Sequence, residues 1–124
     1  MTKKALQIVQ EFQQSIERGT DDWQNLFAED VIFKGPVDTV IGKKANIELN
    51  KNFFPLVKEY KPKTHFEQGK WVCLEGTFVV NTPAGNTLTM DMAEIYEIVD
   101  EKIQNMRVYY DAEEFRKEFS KVLS

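Results

Sequence analysis

The chain has one cysteine, Cys73, and one histidine, His65, among 124 residues. One cysteine excludes an internal disulfide and a cysteine-rich zinc site. One histidine leaves little for metal or triad chemistry built on imidazole. No metal and no cofactor are therefore expected. Long apolar runs are missing too, and none approaches the roughly 18 residues that a membrane span needs. The opening Met1-Thr2-Lys3-Lys4-Ala5-Leu6-Gln7 lacks the apolar core of a signal peptide, so no membrane association and a cytoplasmic location are expected. Positive charge is in deficit. Sixteen Lys and Arg against twenty Asp and Glu give a net charge of −4, which argues against a general nucleic-acid binder with its basic face. No stretch rich in Gly, Pro or Ser divides the chain, and nothing repeats within it. The length suits a single domain, 1–124, and 42% hydrophobic residues suffice for one core.

What is present falls into two halves. Ala5, Val9, Phe12 and Ile16 recur at helical spacing, and Gly19 ends that helix. Thr20 reads as the N-cap of a short second helix with Trp23, Leu26 and Phe27 as its apolar face. Val31-Ile32-Phe33 is a short strand stopped by Gly35-Pro36. A third helix starts near Gly42, carries Ala45, Ile47, Leu49 and Phe53, and meets Pro55, which should kink or end it. Strands are expected over 63–67, 71–80, 87–99 and 103–110, separated by turn residues at 68–70, 81–86 and 100–102. A closing helix spans 112–123, with Phe115, Phe119 and Val122 along one side. Helices first and an antiparallel meander second make an α+β pattern.

Alternation along the strands sorts their side chains into two sets. One holds Trp71, Cys73, Glu75, Thr77, Met90, Met92, Glu94, Tyr96, Met106, Val108 and Tyr110. Its aromatics, methionines and two glutamates fit the wall of a cavity better than a dry core, because buried charges are costly unless paired. The other set offers Val72, Leu74, Phe78, Ala93, Ile95 and Tyr109 as an apolar patch. The helices can cover only one face, so a second copy of the chain is expected on the outer one. With Ala84-Gly85 as the central turn residues, Glu75 faces Glu94; with a turn over 100–102, Glu94 faces Val108 and Tyr96 faces Met106. Two facing carboxyls in an apolar cone would share a proton, one of them titrating high. Near a turn at 68–70, His65 would come beside Cys73, but a nucleophilic pair needs a third, orienting group and an accessible thiol.

The segments Phe33-Lys34-Gly35-Pro36-Val37, Ile41-Gly42-Lys43-Lys44-Ala45-Asn46-Ile47 and Ile98 to Asp111 resemble those of the nuclear transport factor 2-like superfamily, in its ketosteroid-isomerase-like and SnoaL-like (polyketide cyclase) branch. The resemblance implies a cone: a curved antiparallel or mixed sheet wrapped around N-terminal helices with a central pocket, often paired through the sheet. It implies a small-molecule pocket, with Glu94 at the place of the isomerases' protonated carboxylic acid. Their general base falls at Gly35 and their oxyanion tyrosine at Phe12. The Asp-Arg-Asp set of limonene-epoxide-hydrolase-like members falls at Thr77, Glu75 and Val108. The family's turn glycine is replaced by Glu101, so a different turn is expected there.

Two readings of function follow. In the first, Glu94 and Glu75 transfer protons on a mostly apolar carbonyl substrate, as in an isomerase, cyclase or dehydratase, within a pocket lined by Phe12, Trp71, Thr77, Met92, Tyr96, Met106 and Tyr110. In the second, the same cone binds a small apolar molecule, or pairs with another copy, without catalysis.

Overall fold

The computed structural model describes residues 3–120. Helix α1, Ala5–Arg18, turns Ala5, Ile8, Val9, Phe12 and Ser15 inward and stops at Gly19, whose φ of 72° is the left-handed stop that glycine supplies without strain. Ser15 then anchors the next segment. Its hydroxyl accepts the Trp23 backbone N–H at 2.9 Å and lies 2.7 Å from the Thr20 hydroxyl. The short helix expected after Thr20 is a 3₁₀ turn over Asp22–Leu26. Phe27 belongs to the strand that follows, β1, Phe27–Lys34.

Strand β2, Thr39–Ile41, pairs antiparallel with β1. Helix α2, Lys43–Phe53, starts at Gly42 and gives way at Pro55 to a 3₁₀ turn, Phe54–Leu56. Asn46 fastens α2 to the sheet. It is buried, and its Nδ2 donates toward the carbonyls of Val31 (3.3 Å), Val40 (3.2 Å) and Gly42 (2.8 Å). The meander comprises β3, Val57–Gln68, β4, Trp71–Asn81, β5, Thr87–Val99, and β6, Lys102–Tyr109. The strand order is β2-β1-β6-β5-β4-β3, with β1 parallel to β6. Helix α3, Ala112–Ser120, closes the described chain; Val122, expected on its apolar side, lies outside the described residues. The architecture is α+β, a curved mixed sheet with the helices on its inner face, and the core runs from Val9, Phe12 and Trp23 across to Val72, Tyr96 and Ile103.

The β5–β6 register is as expected beyond the turn: Glu94 faces Val108 and Tyr96 faces Met106. The turn itself is shorter than 100–102. Asp100 and Glu101 alone bridge Val99 and Lys102, both with positive φ (52° and 62°), and an irregularity between Glu97 and Ile98 restores the expected pairing. Glu101 thus adopts the left-handed conformation in which a glycine would be unstrained.

The β4–β5 register differs by one residue. Glu94 faces Leu74, and Glu75 faces Ala93. The cause is the loop. The Gly85 N–H donates to the Thr82 carbonyl at 3.0 Å, the Thr82 N–H donates to the Asn86 carbonyl at 2.8 Å, and Gly85 has φ 89°. Pro83 and Ala84 form the tight turn and Gly85 the left-handed bulge of a three-residue hairpin loop, rather than Ala84-Gly85 a two-residue one. A one-residue slip sends every β4 side chain to the opposite face. Val72, Leu74, Gly76, Phe78 and Val80 therefore face the helices, whereas Trp71, Cys73, Glu75 and Thr77 share the outer face with Ala93, Ile95 and Tyr109.

Candidate functional site

A cavity of about 600 Å³ opens between the helices and the inner face of the sheet. Helix α1 contributes Phe12, Gln13, Ile16 and Glu17, and α2 contributes Leu49, Asn50 and Phe53. The sheet supplies Phe33 from β1, Tyr60 from the edge strand β3, Phe78 from β4, and Met90, Met92, Glu94 and Tyr96 from β5. Met106, Val108, Tyr110 and Phe115 complete the wall on the β6–α3 side. The aromatics interlock: Phe12 sits against Trp23, Phe27 and Tyr96, and Phe115 lies edge-on to Tyr110. Such a wall suits a flat apolar guest.

Glu94 is the one Asp, Glu, Lys, Arg or His in the buried set among the described residues, at 6% exposure. It lies on β5, an interior strand, so neighbouring strands flank it on both sides. Tyr96, two residues on and therefore on the same face, donates its hydroxyl to Glu94 Oε2 at 3.0 Å. Burial pushes the Glu94 carboxyl from its ordinary 4.5 up to about 7, with the Tyr96 hydrogen bond pulling the other way. Burial, then the Glu94 charge and hydrogen bond, push the Tyr96 phenol well above 10. A carboxyl in this position is split between acid and base forms near neutrality, as a proton-transfer group needs to be.

Of the residues expected at the pocket, Phe12, Met92, Glu94, Tyr96, Met106 and Tyr110 come together there. Glu75, Trp71 and Thr77 do not, for the register reason above. Glu75 is exposed, so there is no glutamate pair. Trp71 lies under the Arg107 guanidinium, 5.1 Å from the ring centroid, beside Lys70 and its 2.8 Å ion pair with Glu97. Thr77 donates its hydroxyl to Asp91 at 2.8 Å, and Lys63 completes that surface cluster at 3.1 Å. The apolar patch expected outside loses Val72, Leu74 and Phe78 to the interior, but Ala93, Ile95 and Tyr109 remain there, joined by Phe66 and Cys73. Cys73 faces Phe66 and His65 faces Leu74, so the two do not pair. Burial and the charges of Glu75 and Glu94 push the Cys73 thiol up, away from reactive thiolate.

Two positions bear on catalysis by what they lack. A side chain at Gly35 would start 3.2 Å from Phe33 Cε1 and from Val108 Cγ2, so it would point at the cavity wall, and no base stands there. Phe12 offers no hydroxyl. Sequence reasoning missed Tyr60, because β3 was expected to begin only at Lys63; the Val57, Tyr60 and Pro62 spacing gives no clean alternation. Among the described residues, no group of three or more His, Cys, Asp or Glu is arranged to hold a metal ion. Nor, among the described residues, is any helix long and apolar enough to cross a membrane.

These features can be set beside known proteins. No curated protein matches the chain. Among solved structures, it is similar to a nuclear transport factor 2-like protein of unknown function from Burkholderia pseudomallei (TM-score 0.81, 17% identity, 96% of this chain and 99% of that one covered). It is also similar to a candidate SnoaL-like polyketide cyclase from a Jannaschia species (TM-score 0.77, 14% identity, 94% and 91% covered) and to another from Mesorhizobium loti (TM-score 0.72, 23% identity, 89% and 100% covered). Identities of this order speak for the fold alone. The model of the SnoaL-like domain matches residues 9–106, most of the chain and every element except the first turn of α1, the end of β6 and α3, and the chain belongs to the SnoaL-like family.

Proposed function

We propose that the cone takes a small, largely apolar, ring-bearing carbonyl compound and that Glu94 moves a proton on it. The observation that carries this reading is one buried carboxyl, titrating near neutrality, on the wall of a mostly apolar cavity whose other charged residues, Glu17, Asp38, Lys58 and Glu59, are exposed. As carboxylate, Glu94 takes a proton from the carbon beside the carbonyl, leaving an enolate. As acid, it returns that proton to the same or a conjugated carbon, so atoms balance without a co-reactant. The Tyr96 hydroxyl, donating to Oε2, steadies the carboxylate form and fixes its direction. This supports an isomerase- or cyclase-type step over a hydrolysis that needs two carboxylates.

The second reading, a binding module without chemistry, is favoured by Gly35 and Phe12, where the resemblance places the isomerases' base and tyrosine. Solvent exchange separates the two. Apolar aryl ketones incubated with the protein in deuterium oxide should take up deuterium beside the carbonyl, and Glu94→Gln should return the rate to that of buffer. Ketones that bind without exchange would leave the binding module standing. A second copy of the chain is proposed on the outer sheet face, where Phe66 and Tyr109 are 63% and 53% exposed beside Ile95.

A further inference from the structure

Tyr60 sits where a side chain from β4 would otherwise be. A Cβ built on Gly76 would lie 2.5 Å from Tyr60 Cε1 and 2.7 Å from its hydroxyl oxygen, far inside any contact distance. Gly76 is in the interior of a strand, where glycine is disfavoured unless another group approaches its backbone closely. Here the ring is that group. Phe78 holds the ring from the side, with centroids 4.5 Å apart. The register of β3 shifts on both sides of Tyr60, between Val57 and Glu59 and between Pro62 and Thr64; such irregularities re-aim a side chain out of the regular alternation. The rest of β3, from Lys61 to Gln68, is exposed. Tyr60, like Val57 at the start of the strand, is half-buried and turns in.

Its position is a dividing wall. Behind the main cavity lies a smaller one of about 100 Å³, bounded by Leu6 and Gln10 of α1 and Pro62 and His65 of β3. Tyr60 and Gln13 line both. The hydroxyl is also uncommitted to the pair already described: Tyr96, not Tyr60, donates to Glu94. Burial and the nearby charge of Glu94 push the Tyr60 phenol up, opposed by hydrogen bonding with Gln13, so it keeps its proton at neutral pH and can donate it.

We infer that Tyr60, seated on Gly76 and backed by Gln13, is the specificity-determining hydrogen-bond donor of the cavity, meeting the oxygen of a carbonyl ligand beside Glu94. The inference rests on the proposed carbonyl pocket and adds which residue reads the carbonyl. Prodan tests it. This apolar naphthalene ketone emits at longer wavelength when its carbonyl accepts a hydrogen bond. Bound to the unaltered protein it should show that red-shifted emission. Tyr60→Phe keeps the ring and the wall, so it should bind prodan about 3- to 10-fold more weakly, the loss of one hydrogen bond, with emission moved to shorter wavelength. Gly76→Ala should reproduce the blue shift with the hydroxyl still present, because the new methyl displaces the ring. Emission and affinity unchanged in Tyr60→Phe would overturn the role of Tyr60 and leave the carbonyl pocket intact. Failure of the unaltered protein to bind prodan would overturn both.

Discussion

Replacing Glu94 with Gln should make the protein more stable at pH 8 and leave it unchanged near pH 4.5. The carboxyl titrates at about 7 when folded and near its ordinary 4.5 when unfolded. Between those values the folded state holds a proton that the unfolded state has released. Stability therefore falls as pH rises from about 4.5 to about 7 and is level beyond. The difference corresponds to up to about 3 kcal/mol at alkaline pH, a large share of the roughly 5–15 kcal/mol that holds a domain folded. Glutamine fills nearly the same space, has no charge to desolvate, and can still accept the Tyr96 hydroxyl, so the variant escapes this loss. Asp91 and Glu97 are held low by their partners, Thr77 and Lys63 for the one and Lys70 and Asn105 for the other. They act alike in both proteins and drop out of the difference. Urea unfolding of the two proteins across this range measures it directly. The curves should meet on the acid side, separate between about pH 4.5 and about 7, and run level from there to pH 8. Parallel curves would refute the reasoning, because they would mean that Glu94 is solvated and titrates as an ordinary glutamate.

Three further outcomes are expected. Sedimentation equilibrium should report about twice the chain mass of 14.5 kDa, and Ile95→Lys, which puts a charge among Ala93, Cys73 and Tyr109 on the outer face, should lower it toward one chain; a single-chain mass for the unaltered protein would remove the paired sheet. Glu101→Gly should raise Tm by a few degrees, about 1 kcal/mol, because the residue stands at φ 62° where a Cβ is strained; a lowered Tm would show that its bond to the Lys3 N–H matters more than the strain. Asn46→Ala should cost about 1–2 kcal/mol in thermal unfolding, since it removes the amide that ties α2 to the Val31 and Val40 carbonyls while the Val31 and Gly42 carbonyls keep their backbone donors; no measurable loss would mean that water replaces the amide.

Much of the cone is written locally. The helical spacing of Val9, Phe12 and Ile16, the stop at Gly19 and the break at Pro55 depend only on near neighbours in the chain, whereas β2, three residues long, and the early start of β3 at Val57 were not foreseen. Glu94 and Tyr96, two apart on one strand, must share a face whatever their partners, and their pairing with Val108 and Met106 came through because a bulge offset a turn one residue shorter than expected. The partnership of β1 with β6 was not legible, since a parallel pairing across some 70 residues leaves no trace in either strand's own pattern.

The face of β4 was decided elsewhere again. Its residues alternate apolar on both sets, so only the loop could say which set turns in, and the choice between a two- and a three-residue loop rested on where Thr82 and Asn86 make their hydrogen bonds. The markers were present, Pro83 to start the turn and Gly85 to end it, yet they admit both loops until the strands are paired. That single residue of register took Glu75, Trp71 and Thr77 out of the pocket and turned Gly76 to the inner face, under Tyr60. The place of Tyr60 followed, because a ring can lie on a glycine only when the strand beside it has settled which way that glycine faces. The sequence by itself determined where the helices begin and end and that Glu94 and Tyr96 share a face; tertiary pairing decided that Glu94 is buried without Glu75 beside it and what surrounds it, because register is a property of two strands together and of neither alone.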